Sequence, residues 1–472
     1  MPQKFRLGFT TLEIKDRVGD LTISGTIPGW LGGTLVRNGP GKFEIGSQQI
    51  HHWFDGYSLL SRFSFSAGTV SYACDFLNSP DYLASLEMGA VNYAAFSVDP
   101  PATGRNTPAA STKHSSTNAN VNVIKIGGKY VALTETPSPV EFDPLTLKAK
   151  GVVQFSDKIG GQLTTAHPHY DFKRKVQINF TTLLGMRSMY NFYYLEAGST
   201  ERKLIGSLPV REPGYLHSFA VTENYIILAE FPLLITPIEV VTSGKPLMDN
   251  FRWKPEQGTR IWVINKTDGT VTRSYQAKAF FAFHHINAFE LGNDLFMDVA
   301  AYDDAAILRE LYISKLNHMT GQLTCGEVRR YRLGPESTSA DYEVLSEQFV
   351  ELPRINYAGF STQPYRYLYG LGSPNNISEG FYNQLVKIDS LRQNSRLWKV
   401  EDCYPGEPVF VAAPGAKQED DGVILSVVLD GSSGCSFLLI LEAGTFEELA
   451  RVNLNHHLPF GFHGEFFENL TN

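Results

Sequence analysis

Short apolar runs rich in Val, Ile, Tyr and Phe recur along the whole chain, each broken by Gly, Asn or Asp. Runs of this length between turn formers read as β-strands. Residues 121–126, the turn Gly127-Gly128 and residues 130–134 predict a hairpin. Residues 261–264, the turn Thr267-Asp268-Gly269 and residues 270–275 predict another. Helical periodicity is weak throughout, and residues 83–88 and 305–311 are the best candidates for short helices.

A looser repeat lies beneath the hairpins: a polar anchor, an extended stretch, a turn, then a second apolar strand. Seven such units are legible. Their anchors are His52-Trp53-Phe54-Asp55-Gly56, Asn120-Val121-Asn122, His167-Pro168-His169-Tyr170-Asp171, His217-Ser218-Phe219, His284-His285-Ile286, Ile355-Asn356-Tyr357 and Glu407-Pro408-Val409-Phe410. Units too small to bury their own face imply radial repetition. The prediction is an all-β, seven-bladed β-propeller occupying residues 1–472 as one domain.

Two stretches fit no blade. Residues 78–118 contain Pro101, Thr103-Gly104, Thr107-Pro108 and a Ser/Thr-rich tail, and read as a long mobile insertion. Residues 231–241 are apolar but carry Pro232 and Pro237, which argues against a central strand. They read either as a buried connection or as an apolar lip that dips into a membrane.

Composition narrows the function classes. Hydrophobic residues make up 43% of the 472, so the chain folds around a large core. The net charge is −8 with no basic run, which excludes nucleic acid as a partner. The 31 Phe and 22 Tyr allow an apolar cavity as well as ordinary packing. Cys74, Cys325, Cys403 and Cys435 form no CxxC pair, which points to a reducing, cytoplasmic setting and no thiolate metal site. No signal peptide and no membrane-spanning run are expected.

Chemistry enters through the anchors. In a propeller, the innermost strand of each blade starts near the axis, so equivalent positions of distant units converge. His167, His217 and His284 open three consecutive units, and His463 lies where the chain must return to close the ring. Each alone reads as a core histidine; together they could face one metal ion. Neutral imidazole suits iron, zinc, copper or nickel, and four of them leave a divalent metal its charge and open positions, which would suit dioxygen if the metal is Fe2+. Metal-bound histidine usually donates its other N–H to an acid. Glu135, Glu351 and Glu407 lie at or beside anchors and are candidates for that role. His167 and His169 share a strand face, so either could bind, whereas His284 and His285 point oppositely, so only one can.

The whole pattern resembles the carotenoid cleavage oxygenase family. Gly33-Thr34-Leu35-Val36-Arg37-Asn38-Gly39-Pro40-Gly41, His52-Trp53-Phe54-Asp55-Gly56, Ala166-His167-Pro168-His169, Phe283-His284-His285-Ile286-Asn287, Glu419-Asp420-Asp421-Gly422 and Phe462-His463-Gly464 follow the family's order across nearly the full chain. The resemblance implies Fe2+ on His167, His217, His284 and His463. It implies that Glu135, Glu351 and Glu407 hold His217, His284 and His463, leaving His167 without an acid. It also implies a dome of loops and short helices over the axial site, and an apolar tunnel opening toward a membrane surface. On the same likeness Val121 lies near an open coordination site and Phe462 along the tunnel. The implied reaction adds both atoms of O2 across a conjugated C=C bond of a carotenoid or apocarotenoid, giving two carbonyl products and needing no organic cofactor.

The wording of the second and fourth motifs is similar to the animal β-carotene oxygenase and retinoid isomerase branch. Isomerisation, which uses no O2, is set aside, so central cleavage to retinal is the expectation. Stilbene-cleaving members carry Lys where this chain has Thr134, which weakens the stilbene alternative. A propeller that binds a carotenoid without cutting it is the second alternative.

Overall fold

The computed structural model describes residues 3–93, 96–98, 115–319, 321, 323–373 and 380–470. Residues 94, 95 and 99–114, within the stretch 78–118 that was expected to be partly mobile, lie outside them. Among the described residues, seven units of four to six strands are arranged around an axis. Blade two runs outward through Asn122–Ile126, Lys129–Leu133, Val140–Phe142 and Ala149–Val152. Blade three does so from Leu163–Thr164 and His169–Asp171 through Val176–Leu183, Ser188–Glu196 and Arg202–Val210. Blade four comprises Ala220–Val221, Tyr225–Glu230, Thr259–Asn265 and Val271–Ala277.

Blades five and six share one strand. Asp341–Arg354 closes blade five along its first part, pairing with Gly326–Leu333. Its end, from Glu351 to Arg354, then pairs with Tyr367–Gly372 as the innermost strand of blade six. A bulge between Glu351 and Arg354 turns the strand there, with Leu352 at φ 46°. The sixth anchor therefore lies earlier than expected: Ile355 and Asn356 follow the strand, and Tyr357–Phe360 is a short helix.

The ends of the chain close the ring twice. Gly464–Phe467 is the innermost strand of blade one, beside Gly33–Lys42, while Thr22–Gly25 is the outer strand of blade seven, beside Glu448–Asn453. This corrects the first unit: His52 to Gly56 is no inner strand but a 3-10 turn, Trp53–Asp55, leading into Tyr57–Ser66. The turn looked like an anchor because a polar residue and an apolar strand follow one another there too.

The two helix candidates appear as Pro80–Met88, capped by the Ser79 hydroxyl, and Ile307–Glu310. The apolar stretch at 231–241 is largely a buried connection. Phe231 and Ile235 are wholly buried, and Leu233–Ile235 pairs with Phe251–Trp253 off the end of blade four. The lip reading survives only at Ile238, on the short helix Pro237–Thr242, which is 65% exposed. No helix among the described residues is long and apolar enough to cross a membrane.

Candidate metal centre

His167, His217, His284 and His463 meet on the axis. They each offer one ring nitrogen, and the four nitrogens lie within 4.8 Å of one another. Nε2 of His167 is 3.1 Å from Nε2 of His217, and Nε2 of His284 is 3.3 Å from that of His463. Four nitrogens each about 2.1 Å from one ion would lie about 3–4 Å apart, so the spacing fits a single metal.

The far side of three rings explains why these nitrogens face inward. Nδ1 of His217 donates to Glu135 at 2.7 Å, that of His284 to Glu351 at 2.6 Å, and that of His463 to Glu407 at 2.7 Å. A carboxylate cannot donate, so the proton sits at Nδ1 and the lone pair at Nε2. His284 and His463 consequently turn two lone pairs toward each other at 3.3 Å. Two acceptors at that distance repel unless a cation lies between them. Among the described residues no acid is hydrogen-bonded to His167, whose backbone N–H donates to the Thr165 hydroxyl.

The three acids sit in different surroundings. Glu135 also accepts from the Tyr215 hydroxyl at 2.9 Å. Glu351 accepts from the Tyr302 hydroxyl at 2.6 Å and from the Leu352 backbone N–H. Glu407 lies between Arg37 and Arg354 and accepts from the Gly464 N–H. Burial works to raise the pKa of Glu407, but Arg354, His463 and Arg37 hold it well below the carboxylate range. Burial likewise opposes ionisation of Glu351, and His284 and Tyr302 outweigh it. Burial pushes His463 down to about 4 and His167 well below its ordinary value, so both rings are neutral near pH 7.

Hydrogen bonding separates the ambiguous pairs. His169 uses both nitrogens, one toward the Phe219 carbonyl and one toward the Tyr357 hydroxyl, each at 2.9 Å. None is left for a metal. His285 points away from the axis and bonds the Ser218 hydroxyl at 2.8 Å.

A cavity of about 340 Å³ opens directly onto the histidines and is walled mainly by apolar groups. Val121, Thr134 and Phe462 all line it, as do Glu135 and Glu351. Phe283 packs on the His217 ring at 5.3 Å, and Phe54 lies parallel to it at 6.3 Å. Four residues escaped the sequence reading: Arg37, Arg354, Tyr215 and Tyr302. Arg37 lay within a quoted motif, Arg354 directly before one and Tyr215 two residues before one, the signal that could have found these three.

Residues 9–468 match the family model described as "Retinal pigment epithelial membrane protein". The chain is 36% identical to "Carotenoid cleavage dioxygenase 8 homolog A, chloroplastic" of Oryza sativa subsp. japonica, over 94% of this chain and 84% of that protein. It is 31% identical to "Beta,beta-carotene 15,15'-dioxygenase" of Mus musculus, over 94% and 88%. Its fold is similar to the crystal structure of an ACO/RPE65 chimera, with a TM-score of 0.88 at 24% identity and 99% of both chains covered.

Proposed function

This chain belongs to the carotenoid cleavage oxygenase family, and from that membership we propose that its metal is Fe2+, held by His167, His217, His284 and His463. Relatives that cover most of this chain are named carotenoid cleavage dioxygenase or β-carotene dioxygenase, and this chain is an oxygenase of that kind. The observation that carries the reading is the set of four inward nitrogens opening on an apolar cavity, with three Nδ1 protons committed to glutamates.

When bound, Fe2+ would supply the activation of dioxygen at positions the histidines leave free. Both oxygen atoms end in products: one C=C bond and one O2 become two C=O groups. That balance needs no net proton transfer. The cavity's acids agree with it, because Glu135 and Glu351 spend their oxygens on histidine and tyrosine partners instead of facing the substrate. Phe54, Phe283 and Phe462 hold a flat polyene beside the centre and keep water out. Val121 limits the space near the rings, and Thr134 stands where a phenol-gripping lysine would be needed for a stilbene. A carotenoid or apocarotenoid is therefore the substrate, with central cleavage to retinal the reading for a symmetrical one.

We also place the cavity mouth against a lipid surface. Leu83, Leu86 and Met88 on the helix Pro80–Met88, and Ile238 on Pro237–Thr242, are large apolar residues left exposed near segments that line the cavity. Flotation with liposomes checks this, and loss of flotation in a Leu83→Ser, Met88→Ser variant is the expected result.

The central test uses His217→Ala. Metal analysis and product mass after incubation under ¹⁸O2 should show iron and both labelled aldehydes lost together. An iron-replete, active variant would overturn the ligand set. Unlabelled, intact carotenoid recovered from the wild type would make the chain a binder, and faster turnover of resveratrol would make it a stilbene cleaver.

A further inference from the structure

The cavity lining has an exposed part and a buried part. Ser138 and Gly161 are partly exposed and Lys245 is exposed, which marks the mouth. Ile307, Leu311, Tyr382 and Trp53 are all buried. His217, His284 and His463 line the same cavity.

Trp53 forms the buried end, and the chain fixes it from every side. Its backbone N–H donates to the Leu311 carbonyl at 3.1 Å, and its ring N–H to the Phe460 carbonyl at 3.3 Å. Its ring packs against Phe462 at 4.6 Å on the cavity side. Behind it stand Phe9, edge-on at 5.4 Å, and Phe381 at 5.7 Å, themselves 5.1 Å apart. Phe9 arrives on the 3-10 helix Lys4–Phe9, which is docked by the Phe460 N–H on the Gly8 carbonyl at 2.8 Å and by Lys4 on Asp402 at 2.6 Å. The first residues of the chain thus back the wall of a cavity that no reading of their sequence connects them with.

We infer that Trp53, backed by Phe9 and Phe381, is the stop against which the leading end of the substrate rests, so that the bond to be cut is counted from Trp53 to the four histidines. The inference rests on the cleavage reaction proposed above. It also orients the substrate. At the buried end the Trp53 N–H and the Tyr382 hydroxyl are already given to the Phe460 and Thr324 carbonyls. An aldehyde pushed there would lose its hydrogen bonds to water and meet no free donor. The hydrocarbon end therefore enters first, and an oxygenated end stays at the mouth with Ser138 and Lys245.

A length series of apocarotenals, each with a hydrocarbon ring at one end and an aldehyde at the other, tests this. With wild-type enzyme, the product that keeps the ring should have the same length across the series, and the aldehyde-end product should vary. A constant aldehyde-end product would overturn the assignment. In Phe9→Ala and Trp53→Ala the ring-end product should lengthen by at least one double bond, whereas Phe9→Leu should keep the wild-type cut. An unmoved cut in both alanine variants, with circular dichroism unchanged, would also overturn it. If an alanine variant does not fold, Trp53→Phe supplies a readout independent of turnover. Metal-free wild type titrated with the same apocarotenals should lose tryptophan fluorescence, and Trp53→Phe should show less than half of that quench. Undiminished quenching in Trp53→Phe places the polyene elsewhere. If the wild type binds the series but cuts none of it, the cleavage reading fails while the quenching still judges the stop.

Discussion

At the scale of single residues, the centre is a set of four imidazoles, three of them aimed by acids. Glu135→Gln keeps a neutral oxygen for the Nδ1–H of His217 but removes the charge that fixes the tautomer. Metal affinity should fall by roughly 10- to 100-fold, measured by competition with a chelator. Arg37→Leu leaves Glu407 wholly buried with one cation fewer. Breaking a buried pair costs about 3–5 kcal/mol, and denaturant unfolding should register a loss of that order. His52 carries a separable pH signature. It is buried and neutral, with Nδ1 accepting from the Phe54 N–H and Nε2 donating to the Leu308 carbonyl, and burial pushes its pKa down to about 4. The unfolded chain binds that proton near pH 6.5, so the stability His52 contributes is complete above pH 6.5 and is lost as pH falls through about 4. The stability gap between wild type and His52→Gln should therefore shrink on acidification across that window, by an amount on the order of 3 kcal/mol. Nearby Asp55, raised to about 6 by burial, acts with the opposite sign, which is why the difference between the two proteins is the quantity to follow.

At the scale of elements, close backbone contact places His463. Gly39, on the strand Gly33–Lys42, lies where a side chain would come within 2.3 Å of the Gly461 Cα. Both sides of that contact are backbone, so neither can swing aside. The Asn38 carbonyl accepts from the Phe462 N–H at 2.9 Å, and the Asn38 N–H donates to the His463 carbonyl at 2.8 Å. Gly39→Ala should push residues 459–463 off the strand, cost about 1–3 kcal/mol by thermal or denaturant unfolding, and reduce iron content alongside it. The hairpins and short helices were legible because each depends on local pattern and turn chemistry. The sixth inner strand was misplaced because Asp341–Arg354 serves two blades, and its change of role occurs at a bulge that alternation does not reveal. The first was misplaced because its inner strand is supplied by the other end of the chain.

At the scale of the whole molecule, ring closure and site assembly are the same event. Gly464–Phe467 completes blade one directly after His463. Deleting residues 464–472 should abolish cooperative unfolding of the full ring and metal binding together, by calorimetry and metal analysis. The sequence by itself determined the sevenfold β pattern and set histidines and acids at or near its anchors, because equivalent positions of a repeat must converge on an axis; the choice of His167 over His169 and of His284 over His285 came from the family resemblance. Only the tertiary structure decided which atoms do what. It occupied both nitrogens of His169, turned His285 toward Ser218, and surrounded Glu407 with Arg37 and Arg354. It buried most of residues 231–241 and set the start of the chain behind Trp53. Those are contacts between residues far apart in sequence, fixed by packing and hydrogen-bond satisfaction, and periodicity along the chain carries no record of them.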